Sequence, residues 1–213
     1  MINKSDGLFP AIFKTIKSAK DTVAEGADFV AKVATDSDVL SQVPVISTAV
    51  KVLNIRDTFT RHKFERNVVA FLKAVEDADE KAVGDLHDQI ESDAEYASNF
   101  TDTVFSILLE GEKPIKSELV GRLVIAFSRR EITKEEFESL SQLIQSAAVP
   151  TLRALPTFMS STGGQPYKQG MGQFPEEPLL YSLGIAYRSG TMFRVSPLGE
   201  KLYVHGFRGQ IST

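Results

Sequence analysis

Apolar side chains return every three to four positions through most of the first 150 residues, the spacing of amphipathic helices. Phe9, Phe13, Ile16, Val23, Ala27, Val30 and Ala34 share one face of a helix predicted over about Leu8 to Val33. A second helix opens at Pro44, with Val39 and Val43 leading in and Ile46, Val50 and Leu53 on one side. Proline suits a first helical position, which needs no amide donor. A third, about Asp57 to Val75, sets Phe64, Val68, Phe71, Leu72 and Val75 inward. The fourth is predicted as one long helix, about Glu80 to Leu109, ended by Gly111. Pro114 opens a fifth that carries Leu119, Val120, Leu123, Val124 and Phe127. Thr133 and Glu136 have capping-box spacing ahead of Phe137, Leu140, Leu143 and Ile144 in a sixth. Short connections favour antiparallel neighbours, so the expectation for residues 1–155 is an antiparallel helical bundle.

The texture changes at Pro156. Four prolines and four glycines fall between Pro156 and Pro178, which predicts a long irregular loop over residues 156–178. Beyond it, Leu179, Leu180 and Leu183 form a short helical face that Gly184 ends. Ile185–Arg188 and Met192–Val195 flank Ser189-Gly190-Thr191, predicting a hairpin in which glycine supplies positive φ. Ser196 then reads as an N-cap, with Pro197 at the first position of a last short helix. Residues 179–213 are therefore a small α+β tail, and the fold class as a whole is mainly α.

Charge follows the same division. Residues 1–150 carry 18 basic and 25 acidic side chains, residues 151–213 carry 6 and 3, and the net charge is −4. An acidic balance argues against a broadly basic nucleic-acid binder. No cysteine is present, which removes disulfides, thiolate metal sites and a cysteine nucleophile. The longest charge-free runs, Ser139–Leu152 and Ala154–Tyr167, are fourteen residues each and contain proline, whereas a spanning helix needs about 20 apolar residues. The opening MINKSDGLFPAIF has too short an apolar run for a signal peptide. These features lead us to expect a cytoplasmic protein.

Candidate chemistry is sparse. Glu76–Glu95 holds nine carboxylates, from which Asp77, Asp79, Asp85 and Asp88 could be assembled as a cation site. Lys81 sits where an EF-hand ligand should be and the closing Glu is misplaced, so a solvated helix face is favoured. His87 and Glu91 share a helix face without a third ligand in view. His62 lies beside Arg61 and Lys63, and His205 follows the last helix. Ser160-Ser161-Thr162-Gly163-Gly164 lacks the lysine of a phosphate-binding loop. No catalytic residue, metal ligand or cofactor site is assigned, and the expectation is a non-enzymatic protein.

Two stretches invite partners instead. Phe158, Met159, Tyr167, Met171 and Phe174 are apolar residues in the proline-glycine segment. They either order on a protein partner or fold back over the bundle. Near the N-terminus, Phe9 and Phe13 stand beside Lys14, Lys17 and Lys20, a basic amphipathic pattern that could lie on anionic lipid. Glu25 and Asp28 then turn the polar face acidic, which favours an ordinary bundle helix.

Leu183-Gly184-Ile185, then Phe193-Arg194-Val195-Ser196, then Leu198-Gly199 resemble the closing half of bacterial winged-helix domains. The resemblance covers about thirty residues, and it implies that the unit's first two helices come from Glu135–Leu155. A winged helix implies DNA, with Arg188 and Arg194 on the wing and Lys201 and Arg208 nearby. Against this, Glu176 and Glu177 begin the helix in the recognition position, where they would repel phosphates. No Arg, Asn or Gln there reads base edges, so a wing that packs or binds protein is favoured. Val43-Pro44-Val45-Ile46, Asn54-Ile55-Arg56-Asp57 leading into Phe64–Leu72, and Arg130–Leu140 resemble helical bacterial proteins of the abortive-infection type. That likeness implies a role in phage defence. The leading expectation is a protein-interaction component of a bacterial defence or regulatory system. A membrane-surface effector and a DNA-binding regulator are the alternatives.

Overall fold

The computed structural model describes residues 10–17, 37–53, 57–76, 78 and 80–211. The chain is mainly α, with a small antiparallel sheet near the C-terminus. It divides into two compact units, residues 1–134 and 135–213. The division falls at the start of a helix and not at the proline-glycine segment, so the sixth predicted helix, with the rest of residues 135–155, belongs with the sheet and not with the bundle.

Within unit 1 the helices are α1 (residues 10–17), α2 (Ser37–Gln42), α3 (Pro44–Leu53), α4 (Thr58–Val75), α5 (Glu80–Glu91), α6 (Ala94–Glu110) and α7 (Pro114–Ser128). Helix α7 is buried almost all round, from Leu119 through Ser128 with Arg122 as the exception. A helix apolar on every side belongs at the centre of its unit. Its closest neighbour is α4, whose Phe64, Val68, Phe71, Leu72 and Val75 are at most 1% exposed. Gly121 permits that approach: a Cβ there would lie 2.8 Å from the Ala74 Cβ and 3.1 Å from the Phe71 carbonyl oxygen. Polar groups finish the helix ends. The Thr15 hydroxyl accepts from the Val45 amide at 3.0 Å, and Asn67 Nδ2 donates to the Leu108 and Gly111 carbonyls at 3.0 and 2.7 Å. Each satisfies a backbone group that a helix terminus leaves without an intrahelical partner.

The predicted fourth helix is in fact two. Ser92 and Asp93 interrupt it, and the Asp93 carboxylate accepts from the Glu95 and Tyr96 amides as the N-cap of α6. Apolar periodicity runs on through the break because both helices line the same core, so the pattern alone reads as continuous. The short polar side chains at the junction compete with the backbone for its own hydrogen bonds, which ends one helix and starts the next. Those amide bonds hold the Asp93 carboxyl below its usual range.

Unit 2 begins with α8 (Lys134–Ser146) and α9 (Val149–Ser161), followed by β1 (Tyr167–Gln169), α10 (Glu177–Ser182), β2 (Ala186–Ser189), β3 (Met192–Val195) and α11 (Pro197–Lys201). Leu202–Gly206 continue as one π turn. The sheet order is β1-β3-β2, antiparallel throughout. The hairpin forms as predicted but with a tighter loop: Ser189 pairs with Met192, leaving Gly190 and Thr191, and Gly190 has φ 60. Ser196 caps α11 by accepting from the Gly199 amide. Gly199 itself sits where a Cβ would lie 2.6 Å from Val195 Cγ1 and 2.7 Å from the Ile185 carbonyl oxygen, so α11 closes tightly on the sheet.

The irregular loop predicted over 156–178 is partly ordered structure. Helix α9 runs straight through Pro156 to Ser161, and β1 lies further along. Proline in a helix interior costs about 3 kcal/mol. Leu152, Ala154, Leu155, Phe158 and Met159 are at most 5% exposed on this helix. Burying a large apolar side chain contributes about 1.5–3 kcal/mol, so four of them outweigh one proline.

Candidate functional site

The two faces of the three-stranded sheet differ. Strand alternation sends Phe193 and Val195 inward, where both are buried. Phe193 is the hub: its ring centroid lies 5.1 Å from Phe158, 5.6 Å from Tyr181 and 6.1 Å from Phe174, each edge to face. On the other face the register places Tyr167, Arg194 and Tyr187 opposite one another, one from each strand. Tyr167 is 42% exposed and Tyr187 45%, and Arg194 is exposed between them. The Arg194 guanidinium lies 5.7 Å from the Tyr167 ring centroid and donates through Nε to the Met192 sulfur at 3.0 Å.

On the Phe193 side of the sheet, an ion pair between a buried glutamate and a half-buried arginine fastens the segment between β1 and α10. Glu177, at the start of α10, is buried and receives Arg188 Nε and Nη2 on its two oxygens, each at 2.8 Å. The same guanidinium donates to the Gly170 and Gly172 carbonyls at 2.8 Å, and the Phe174 amide donates to Glu177 at 3.1 Å. The Arg188 hydrogen bonds, with the Phe174 amide and Tyr181 adding to them, push the Glu177 carboxyl down to about 2 against its burial. Burial, with Glu177 adding to it, pushes the Tyr181 hydroxyl up. Phe174 is held between Lys168 Nζ at 4.8 Å and the Arg188 guanidinium at 5.4 Å. Met171 projects between the two fastened glycines and is 93% exposed.

This geometry revises several expectations. Phe158 and Met159 are not surface anchors; they are core residues of α9 with no exposed area. Phe174 is half-buried against Phe193. Tyr167 and Met171 do face solvent. Of the basic residues assigned to nucleic acid, Arg188 is taken by Glu177, and Lys201 Nζ donates to both oxygens of Glu136 at 2.6 Å. Arg208 lies in the C-terminal turn with φ 55, and Arg194 alone of the four stands on the open sheet face. Glu177 does not repel phosphate from a helix tip, because it is turned inward and neutralised. Sequence reasoning missed Tyr187 and the role of Glu177. The alternation Tyr187, Ser189 along β2 carried the first signal, but its alignment with Tyr167 depends on a strand hidden in the proline-glycine stretch.

The remaining candidates find ordinary surroundings. Phe13 is buried with its ring 5.1 Å from His87, while Lys14 and Lys17 are exposed. Phe9, Lys20, Asp77 and Asp79 lie outside the described residues. Among the described residues no cluster of His, Asp or Glu has the arrangement to hold a metal, and no helix is long and apolar enough to cross a membrane. His62 Nδ1 lies 3.3 Å from Glu65. The hydroxyls of Ser161 and Thr162 donate to the Phe158, Met159 and Gln165 carbonyls, finishing α9 and its turn. Gly163 and Gly164 follow at φ 65 and 86, so the segment is a helix end and not a phosphate cradle. An open cleft of about 630 Å³ in unit 2 is walled by Ser139, Gln142, Ser146, Thr151 and Ser182 with leucines, and carries no charge. No known protein family, curated protein or solved structure gives a significant match to the chain.

Proposed function

We propose that the chain is a non-enzymatic, cytoplasmic protein-binding component whose contact surface lies on unit 2, a winged-helix-like arrangement turned to protein contact. One observation carries this reading. Six large hydrophobic side chains are exposed among the described residues, and five of them, Tyr167, Met171, Leu179, Tyr181 and Tyr187, fall between positions 167 and 187. Tyr, Met and Arg are the residue types enriched at the centres of protein interfaces, and a cluster of them outside the core marks an interaction site. Two of the five, Tyr167 and Tyr187, share the open face of the sheet with Arg194, which adds the third type there.

The DNA reading of the same unit has less support. Two of its four cations are spent in ion pairs, and sequence-independent DNA binding rests on several simultaneous phosphate contacts. The membrane reading keeps Lys14 and Lys17 among the described residues, but the apolar side of that helix is used inside unit 1. The abortive-infection resemblance implies a bacterial defence or regulatory setting for such a component.

The test is affinity recovery from native cells of the wild-type chain beside the Tyr167→Ala/Tyr187→Ala double variant. Both side chains are outward, so the variant is expected to keep the wild-type circular dichroism and lose a stoichiometric protein partner. Equal recovery of the same partners by a folded double variant would refute the assignment.

A further inference from the structure

We infer that the Tyr167–Arg194–Tyr187 row recognises an acidic segment of a protein partner, in which a carboxylate side chain is flanked by apolar or aromatic ones. The inference rests on the protein-binding reading and supplies the partner's chemistry. Arg194 is the decisive residue. Among the described residues no carboxylate pairs with it, in contrast to Arg188 and Lys201, which each hold a glutamate. Its contacts are the Tyr167 ring and the Met192 sulfur, both of which orient the side chain without neutralising it. With Nε turned to the sulfur, the end of the planar guanidinium that carries Nη1 and Nη2 remains to match a carboxylate with two parallel hydrogen bonds.

The register completes the argument. Tyr167 and Tyr187 stand on either side of Arg194 across the sheet, so two half-exposed rings flank one cation. Rings in that position exclude water from the ion pair and give apolar contact to the residues beside the carboxylate, which is how a charge pair at an interface gains strength. A strand of nucleic acid would find bases to stack on the tyrosines, but only one cation on this face to meet its successive phosphates. A single acidic side chain between apolar neighbours fits the charge count.

The experiment measures fluorescence polarisation of three labelled probes with the full chain: a Glu,Tyr copolymer, a Lys,Tyr copolymer of matched length, and oligo(dT). The Glu,Tyr probe is expected to bind, more weakly as salt rises, with the Lys,Tyr probe silent and oligo(dT) weaker. Arg194→Ala is expected to lower the affinity at least about tenfold, and Arg194→Lys, which keeps the charge but not the planar fork, to restore only part of it. Circular dichroism of each variant confirms that it is folded. Equal binding of both copolymers, tighter binding of oligo(dT), or an Arg194→Ala variant that binds as wild type would each overturn the inference. Should the Glu,Tyr probe fail to bind while Tyr167→Ala/Tyr187→Ala still loses its cellular partner, the acidic chemistry is wrong and the protein-binding reading stands. Failure of both removes both.

Discussion

Unit 1 and unit 2 use their large apolar side chains differently. In unit 1 they go inward: α4, α6 and α7 bury aromatic and branched residues against one another, and among the described residues Phe59 is the single large hydrophobic side chain left exposed. Unit 2 has fewer residues and leaves five outside. A small unit has the greater need of its apolar area for stability, because a smaller share of its surface is buried on folding. Tyr181 still packs on Phe193, but Tyr167 and Tyr187, on the opposite face of the sheet, contribute little to the unit's own core, and that imbalance points to a contact made with something else. The polar groups repeat the contrast. Half-buried Arg188 and buried Glu177 pair to shape a segment, while Arg194, six positions from Arg188, is left on the surface.

The comparison predicts that stability and binding separate within unit 2. Phe193→Ala removes the ring that Phe158, Phe174 and Tyr181 all meet, and is expected to cost about 3–5 kcal/mol, unfolding unit 2 in a thermal or denaturant melt. Gly121→Val drives a side chain into Ala74 and the Phe71 carbonyl, and is expected to destabilise unit 1 by about 2–3 kcal/mol, read as lost helical signal at lower denaturant. Tyr187→Ala, by contrast, is expected to move stability by no more than about 0.5 kcal/mol while lowering partner affinity about tenfold. A Tyr187→Ala variant that melted early would erase the distinction between the two faces of the sheet.

The Glu177–Arg188 pair adds a pH dependence with a definite sign. A carboxyl whose folded value is held at about 2, below its ordinary 4.5, stabilises the fold fully at pH above 4.5 and loses that contribution as pH falls toward 2. The stability difference between wild type and Glu177→Gln should therefore be largest near neutrality and shrink through that acid range, followed by chemical denaturation at a series of pH values. A difference independent of pH would mean that the carboxylate is not what holds the segment. A modest effect is expected at the α11 cap, where Ser196→Ala removes one accepted amide bond and about 1 kcal/mol in a denaturant melt.

Local chemistry made much of this legible in advance. Pro44, Pro114 and Pro197 each open a helix where the sequence places them, and Gly184 and Gly190 take the positive φ their turns require. What sequence concealed was decided by distant partners. Pro156 reads as a break until the core around Phe158 and Met159 is counted against its cost. Strand β1 is three residues long between glycines, and only its pairing with β3 makes it a strand. The Tyr167–Arg194–Tyr187 row depends on that same pairing, since its members are scattered over 28 positions and meet through register alone. Conversely, Ser92-Asp93 is a capping pair that the sequence reading passes over, because the apolar period runs uninterrupted across it.

The most direct test of a contact surface confined to unit 2 is photo-crosslinking in native cells, with a benzoylphenylalanine in place of Tyr187 and, in a second chain, in place of Phe59. Both positions are exposed, one in each unit. A discrete, protease-sensitive adduct from position 187 and none from position 59 is the expected result. Adducts of equal yield at both positions, a nuclease-sensitive adduct at 187, or none there would contradict the assignment.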